Sequence, residues 1–148
     1  MAARKSRASE KKGSYRLDDQ VGFVLRQAQQ RHTTLFSAVM IEGVTPTQWA
    51  ALARLAEVGP SSQNRLGRLT AMDAATIKGV IDRLNARGFT KTRSDPADAR
   101  RLLVELTPLG AEVYVRGEPS AREITAQTLA PLDEDERTTL IQLLRRLT

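Results

Sequence analysis

Positive charge is divided between the first 16 residues and a central segment of this sequence, a pattern that suits a polyanionic partner. Residues 61–104 contain nine arginines and lysines against four aspartates. Residues 1–16 hold six cations against Glu10, whereas residues 17–60 and 105–148 are slightly acidic. Cations that neutralise phosphates release condensed counterions, which gives affinity for nucleic acid of any sequence. The cations of the central segment that we expect to contact DNA are Lys78, Arg83, Lys91, Arg93, Arg100 and Arg101.

Polar and small residues of the same segment suit closer contact with phosphates and base edges. Hydroxyl and amide groups at helix starts are typical phosphate contacts, and we assign that role to Ser62, Gln63, Asn64 and Thr76. A helix is predicted after Asp73, with apolar positions inward at Ile77, Val80, Ile81 and Leu84. Its outer side would carry Ala74, Ala75, Lys78, Gly79 and Asp82. Small side chains allow close approach to base edges, and Lys78 is the best candidate for reading a base.

The sequence gives little support for a catalytic site, a metal site or a membrane span. There is no cysteine and a single histidine, His32, which excludes a thiol nucleophile, a disulfide scaffold and a Cys-based zinc site. No phosphate-cradling glycine loop or nucleophile elbow is present, so we expect neither an enzyme nor a bound cofactor or metal. No apolar run reaches the roughly 20 residues of a membrane span, which predicts a soluble cytoplasmic protein without membrane contact.

Helical periodicity and capping residues predict the elements that would position these side chains. Residues 1–16 have few bulky apolar side chains and are expected to form a disordered basic tail. A long first helix follows from Leu17 to near Gly43. Residues 45–48, Thr-Pro-Thr-Gln, predict an N-cap, a proline at the first helical position and a capping box. This second helix would end at Gly59-Pro60.

A helix pair and a hairpin complete the central module. Ser61 and Ser62 can cap a short third helix, which a tight break at residues 70–72 separates from the helix capped by Asp73. Gly88 suits a left-handed C-cap after that fourth helix. Residues 89–93 and 102–106 then predict two short strands of a hairpin with a charged tip.

Two further helices follow, and the whole is predicted to be mainly α with a small β-hairpin wing. Thr107-Pro108 begins a fifth helix running towards Leu129, and acidic residues 133–136 begin a sixth. The order of elements is that of a winged helix-turn-helix with six helices in one domain over residues 17–148. Residues 45–107 would form the DNA-binding module, and residues 17–44 and 108–148 the dimerisation helices.

Apolar stripes on the first and last helices predict a homodimer. The stripes, which one compact DNA-binding module could not cover alone, are formed by Leu35, Phe36, Val39, Leu140, Leu143, Leu144 and Leu147. Burying them between two subunits gives a two-fold assembly that reads a pseudopalindrome with half-sites about one DNA turn apart.

Several motifs resemble those of the MarR family of bacterial transcription regulators. They are TPTQWAALARLAEVGP, the stretch from Ser62 through LGRLTAMDAATIKGVIDRLNARGF, then SDPADARRLLVELTPLG and LAPLDEDERTTLIQLLRRL. The most specific is the Asp-x-Arg wing tip, Asp98-Ala99-Arg100. The resemblance implies an intertwined, triangular dimer whose fourth helix enters the major groove. It further implies that Arg100 reaches the minor groove while Asp98 orients the wing. The family often has glycine at the position of Ala71, and Arg or Ser at those of Ala74, Ala75 and Gly79.

The same resemblance implies a small-molecule effector, commonly an aromatic or phenolic acid or a related metabolite such as its thioester. Candidate contacts are Arg26 as a cation for a carboxylate, His32 as a switchable donor or acceptor, and Trp49 as a flat apolar wall. The function indicated is a ligand-released repressor of a pseudopalindromic operator. A nonspecific architectural DNA-binding protein is the alternative, as is a protein-interaction adaptor that uses the winged fold without DNA.

Overall fold

The computed structural model describes residues 13–148, which form six α-helices and one antiparallel two-stranded sheet. The elements are α1 (Val21–Val39), α2 (Pro46–Val58), α3 (Gln63–Leu69), α4 (Ala74–Ala86), β1 (Thr90–Asp95), β2 (Asp98–Leu106), α5 (Pro108–Thr128) and α6 (Glu134–Arg145). This order confirms the predicted winged helix-turn-helix. The predicted disorder of residues 1–16 falls mostly on residues 1–12, which lie outside the described residues. Residues 13–16 carry no regular secondary structure.

The predicted helix caps are present. Thr45 accepts a hydrogen bond from the Gln48 backbone N–H, and the Gln48 side chain accepts one from the Thr45 N–H, both at 3.3 Å. Thr107 caps α5 by accepting from the Gly110 N–H at 3.1 Å, with Pro108 at the first helical position. These side-chain bonds satisfy N–H groups that have no partner within the helix. The starts of α2 and α5 are therefore readable from local sequence.

The prediction of one continuous first helix from Leu17 to Gly43 is wrong. A 3₁₀ turn at Leu17–Asp19 precedes α1, and α1 ends at Val39. Met40 is extended, and a second 3₁₀ turn covers Ile41–Gly43. Glu42 and Gly43 both have positive φ, 56° and 60°, which no α-helix accommodates. The apolar periodicity of the sequence continues through residues 40–43, although the backbone leaves the helix there. The pattern alone therefore does not reveal where α1 ends.

The hairpin is longer and its turn tighter than predicted. Only Pro96 and Ala97 separate β1 from β2, and Asp95 accepts a hydrogen bond from the Ala97 N–H at 2.9 Å. Asp98 and Arg100 therefore belong to a strand instead of an open loop. Of the two serines offered as caps, Ser62 is the N-cap of α3. Ser61 is buried and pairs through its backbone with Val104 of β2, which ties the wing to the helix-turn-helix.

The hydrophobic core lies where the helix-turn-helix meets α1, α5 and the base of the wing. It is formed by Phe36, Met40, Val44, Ala51, Leu52, Leu55, Leu66, Ile77, Val80, Ile81, Leu84, Phe89, Val104, Val113 and Ile124. The four inward positions predicted for α4 all belong to it. Gly110 permits the close passage of α5 over the wing base, since a Cβ there would lie 1.8 Å from the Phe89 carbonyl oxygen.

The terminal helices are less completely covered. Among the described residues α6 has no buried side chain and contacts the other elements only weakly. Phe36, predicted as part of a dimer stripe, is instead buried in the core of its own chain. The uncovered apolar residues of α1 are Val21, Val24 and Leu25, near its start. Within residues 13–148 no helix combines the length and hydropathy needed to traverse a bilayer.

Candidate nucleic-acid interface

The outer face of α4 is open to solvent, as a groove-reading helix requires. Asp73 begins the helix by accepting a hydrogen bond from the Thr76 backbone N–H at 2.7 Å. That bond, more than any other contact, holds the pKa of the Asp73 carboxyl below its usual range. The exposed or half-exposed residues of the face include Ala74, Ala75, Thr76, Lys78 and Gly79. The structure thus assembles the predicted small-residue surface without burying it in the fold.

The turn between α3 and α4 holds the two helices close together. Ala71 has a φ of 54°, the left-handed region that glycine adopts most readily. The Met72 N–H donates to the Gly67 carbonyl at 2.9 Å, and a Cβ on Gly67 would approach the Met72 carbonyl oxygen to 3.1 Å. A glycine at position 71 would adopt this conformation without the strain that a Cβ brings.

The charged residues of α4 are partly engaged with one another. The Lys78 ammonium contacts the Asp82 carboxylate at 2.7 Å, one helical turn away, and both side chains are exposed. The Arg83 guanidinium lies along the helix surface, where its Nη1 would be 3.5 Å from a Cβ built on Gly79. Lys78 therefore has to exchange Asp82 for a base acceptor if it reads DNA.

The wing tip presents a single oriented arginine. Asp98 Oδ1 accepts from the backbone N–H of Arg100 at 3.1 Å and from its Nε at 3.2 Å. The Arg100 side chain is 92% exposed, whereas that of Asp98 is 46% exposed. A carboxylate that fixes both the backbone and the Nε leaves the terminal nitrogens of the guanidinium free to donate outward.

The wing and α3 together form a basic groove of about 420 Å³. It is lined by Ser62, Gln63, Asn64, Arg68, Arg100, Arg101 and Leu102. Five of the predicted DNA contacts meet here, because the Ser61–Val104 backbone pair brings β2 against the start of α3. Arg68 was missing from the predicted set. Its position four residues after Asn64 puts both on one helix face, a signal that sequence spacing did contain.

Two of the predicted DNA contacts lie elsewhere on the hairpin. Arg93 Nε is 2.9 Å and Lys91 Nζ is 3.3 Å from the Glu105 carboxylate on the neighbouring strand. The hydrogen bond from Arg93 is the main cause that lowers the pKa of Glu105. These two cations therefore neutralise Glu105 and do not line the basic groove.

Side-chain hydrogen bonds hold the wing against the recognition helix. The Thr90 hydroxyl donates to Asn85 Oδ1 at 2.7 Å, and the Asn85 amide donates to the Thr92 hydroxyl at 3.1 Å. Asn85 lies near the end of α4 and both threonines lie on β1. The wing and α4 can thus move as one unit.

The three candidate effector contacts do not meet within one chain. Arg26 is exposed on α1 beside Gln29, Gln30 and Thr33. His32 is half-buried, and its Nδ1 lies 2.9 Å from the Thr128 hydroxyl on α5. Trp49, by contrast, lies in a separate cleft.

The cleft at Trp49 lies beside α2 and α5 and has a volume of about 580 Å³. Trp49 stacks on Tyr114 with ring centroids 5.3 Å apart and an interplanar angle of 23°. Alanines and Leu129 extend the apolar wall, and the charged lining residues are Glu118, Arg122 and Arg137. Arg122 donates from Nε to Glu118 Oε1 at 2.9 Å, so these two charges are paired. Tyr114 was missed because nothing in its own sequence surroundings relates it to Trp49, 65 positions earlier.

Comparisons with known proteins agree with this architecture. A sequence model described as "MarR family" matches residues 42–101. The chain is 40% identical to the HTH-type transcriptional repressor NicR of Pseudomonas putida, over 90% of this chain and 85% of NicR. A solved structure from Pseudomonas aeruginosa, described as a probable transcriptional regulator, is 59% identical and superposes with a TM-score of 0.88, covering 90% of this chain and all of that one.

A second solved structure adds a ligand to the comparison. It is BpsR of Bordetella bronchiseptica, which is 38% identical, has a TM-score of 0.87 and covers 91% of this chain and 97% of its own. The description of that structure concerns the mechanism by which 6-hydroxynicotinic acid regulates DNA binding of BpsR.

Proposed function

This chain belongs to the MarR family of transcription regulators, and from that premise we propose that it represses transcription as a homodimer that a small aromatic acid releases from its operator. The observation that carries the DNA-binding part is the open small-residue face of α4 beside the basic groove and the Asp98-oriented Arg100. A helix fits the major groove and a hairpin reaches the adjacent backbone or minor groove. The function needs no cofactor or catalytic residue, and its expected place is the cytoplasm.

The DNA contacts divide into positioning and reading. Ser62, Gln63, Asn64, Arg68 and Arg101 surround the basic groove and are assigned to phosphates. Arg100 is assigned to the minor groove. Thr76, in the first turn of α4, is likewise assigned to a phosphate. The other helix residues are assigned to the major groove: Ala74, Ala75, Lys78, Gly79 and Arg83. Lys91 and Arg93 are assigned a secondary, long-range role because Glu105 offsets one of their two positive charges.

Reading by Lys78 is energetically accessible. Its partner Asp82 is exposed, and an exposed pair at this spacing is worth about 0.3–0.5 kcal/mol. One bidentate contact to a correct base contributes about 1–3 kcal/mol of discrimination. The cost of separating Lys78 from Asp82 is therefore smaller than the base discrimination that such a contact provides.

Homodimerisation is supported by apolar surface that one chain leaves uncovered. Val21, Val24 and Leu25 on α1, together with Ile141 and Leu143 on α6, are exposed. Because α6 has no buried residue of its own, its leucines have no core to join within the chain. Helices 17–44 and 108–148 of two subunits would bury these faces and set two α4 helices about one DNA turn apart.

An aromatic acid is supported as the effector by the chemistry of the candidate residues. The stacked Trp49 and Tyr114 offer flat apolar faces, and Arg137 in the same cleft offers guanidinium donors for a carboxylate. Arg122 can bind the acid only by exchanging Glu118, which it already contacts, for the carboxylate of the ligand. BpsR is regulated by one such acid. Arg26 and His32 lie on α1 outside this cleft, so their contribution depends on how a second subunit closes over it.

Binding of the acid lowers operator affinity only if it favours a dimer whose α4 helices are wrongly spaced. The size of the release then equals the difference in its affinity for the two states. A thioester of the acid would stack on the aromatic rings but would lack the free carboxylate that accepts from an arginine.

The DNA-binding proposal is tested by selecting binding sites from a random duplex library with the purified protein. We expect a pseudopalindrome whose affinity at fixed salt exceeds that of its scrambled sequence by about 10³-fold or more. Equal affinity for both duplexes identifies a nonspecific architectural protein. No salt-dependent binding to either identifies a protein-interaction adaptor.

The effector proposal is tested by titrating the operator complex with 6-hydroxynicotinic acid and a panel of benzoic acids, with cyclohexanecarboxylic acid as the nonaromatic control. Aromatic acids should dissociate the complex and the control should not. Trp49→Ala should abolish the response. An equal response of Arg26→Ala and the wild type removes Arg26 from the site.

A further inference from the structure

The link between α1 and α2 has an unusual backbone. Glu42 has a φ of 56° and a ψ of 17°, and Gly43 follows with a φ of 60°. A left-handed conformation at a residue with a Cβ is unfavourable and persists only where surrounding contacts hold it. Glycine would adopt it without that cost. Contacts that fix Glu42 should therefore exist, and they come from two other helices.

The first contact comes from the end of the recognition helix. Arg87, the C-cap residue of α4, donates from Nη2 to the Glu42 carbonyl oxygen. Its Nη1 is 3.5 Å from Gln48 Oε1 in the capping box of α2, and its guanidinium carbon lies 4.5 Å from the centroid of the Phe89 ring. Phe89 directly precedes β1, so Arg87 joins the base of the wing to the Glu42 backbone.

The second contact comes from a helix assigned to the dimer. Arg116 on α5 donates from Nη2 to Glu42 Oε1 at 3.0 Å. Arg116 also lies 3.7 Å from Glu112 within its own helix. Glu42 is thus held through its side chain by α5 and through its backbone by α4. We call Glu42, Arg87 and Arg116 the elbow.

We propose that the elbow positions the recognition helix relative to the dimerisation helices, so that Glu42 sets the spacing of the two α4 helices in the dimer. This inference rests on the proposed function, because it needs a dimer that reads two half-sites. Among residues 13–148, the hydrogen bonds and ion pair of Glu42 to other elements go to Arg87 and Arg116 and to no residue assigned to DNA or effector. It acts as a positioning residue by restricting rotation of the winged module about the end of α1.

The test separates position from stability by measuring spacing selectivity. Operators selected by the wild type are compared with the same operators carrying one inserted or deleted central base pair. In a rigid dimer the altered spacing lowers affinity strongly. Glu42→Gly, which relieves the backbone strain and removes the Arg116 contact, should reduce that selectivity at least threefold. Glu42→Gln, which keeps an acceptor for Arg116, should retain most of it.

Matched controls lie on the same helices. Glu112→Gln removes the other ion pair of Arg116 and leaves the elbow intact, so its selectivity should equal that of the wild type. Arg87→Met should act in the same direction as Glu42→Gly. Thermal unfolding of every variant shows whether a change in selectivity is merely a loss of folded protein.

A distance measurement gives a second readout that does not depend on operator identity. The sequence contains no cysteine, so a single Ala86→Cys at the exposed end of α4 can carry one spin label per subunit. We expect a narrow distance distribution between the two labels in the otherwise wild-type dimer and a broader one with Glu42→Gly. Unchanged distance width and unchanged spacing selectivity in Glu42→Gly and Arg87→Met would overturn the elbow. Absence of any interlabel distance or selected operator in the wild type would instead overturn the proposed function.

Discussion

The winged module and the terminal helices differ in how much of their apolar surface is buried within one chain. In residues 45–107 the inward side chains of α2, α3 and α4 are buried, and backbone pairing fixes the wing to the helix-turn-helix. In α6 no side chain is buried, and the start of α1 exposes a row of apolar residues. The module is thus complete in one chain, whereas the terminal helices present a surface that a second copy would complete. Five of the proposed DNA contacts line one groove of a single chain, whereas Arg26 and Trp49 lie in separate clefts of it.

Truncating a core residue of the winged module should have the largest effect, a loss of folding stability. Leu84 on α4 is fully buried, and Leu84→Ala should lower the free energy of unfolding by about 2–5 kcal/mol at any protein concentration, because it leaves a cavity. Chemical denaturation followed by circular dichroism measures the loss. Leu102→Ala, the same truncation at an exposed wing position, is the control and should cost little. Similar losses for both would mean that the buried side of α4 does not stabilise the module.

A charge introduced on the apolar side of α6 should weaken the dimer instead of the core of the winged module. Leu143 is half-exposed in one chain, and Leu143→Lys should weaken dimerisation at least tenfold, since a lysine cannot be desolvated there without a partner. Analytical ultracentrifugation measures the monomer–dimer equilibrium. Gln142→Lys adds the same charge at the neighbouring exposed position and should leave the dimer intact. A wild type that stays monomeric at micromolar concentration would contradict the burial of these helices between two subunits.

Removing the wing-tip cation should affect DNA binding and not the fold. Arg100→Ala leaves the buried core untouched and should reduce operator affinity, with the slope of log affinity against log salt falling by about one ion. Fluorescence anisotropy at several salt concentrations gives both quantities. Lys91→Ala is the comparison, and its smaller loss should reflect the charge that Glu105 already balances. An Arg100→Ala protein with unchanged affinity and slope would remove the wing from the interface.

The smallest expected effect is a pH dependence at the start of α4. Hydrogen bonding to Thr76 lowers the pKa of Asp73 in the folded protein below its ordinary value near 3.8. The stabilisation by this carboxylate is therefore complete above pH 3.8 and is lost as the pH falls through the folded-state pKa. Asp73→Asn keeps a capping oxygen but cannot titrate. The Tm of the wild type should fall relative to that of Asp73→Asn between pH 5 and pH 2.5, whereas a constant difference would contradict the assignment.

Capping residues and apolar spacing were sufficient to predict the six helices, the hairpin and the inward face of α4. They failed at Glu42, because a left-handed residue other than glycine leaves no local signature and depends on Arg87 and Arg116 from distant segments. The pairing of Lys91 and Arg93 with Glu105 was missed for a similar reason, since strand register decides it. Arg26, His32 and Trp49 were grouped by chemistry alone, and one chain does not bring them together.

The most direct test of the account is groove-specific cleavage of the operator by an iron chelate attached to a single introduced cysteine. With the chelate at Ala75→Cys on α4, we predict two symmetric clusters of major-groove cleavage about one helical turn apart. With the chelate at Ala99→Cys beside Arg100, cleavage should move to the flanking minor grooves. Arg145→Cys on α6 should give only background. Background cleavage from both α4 and the wing, or a single asymmetric cluster, would contradict a two-fold protein that inserts α4 into the DNA.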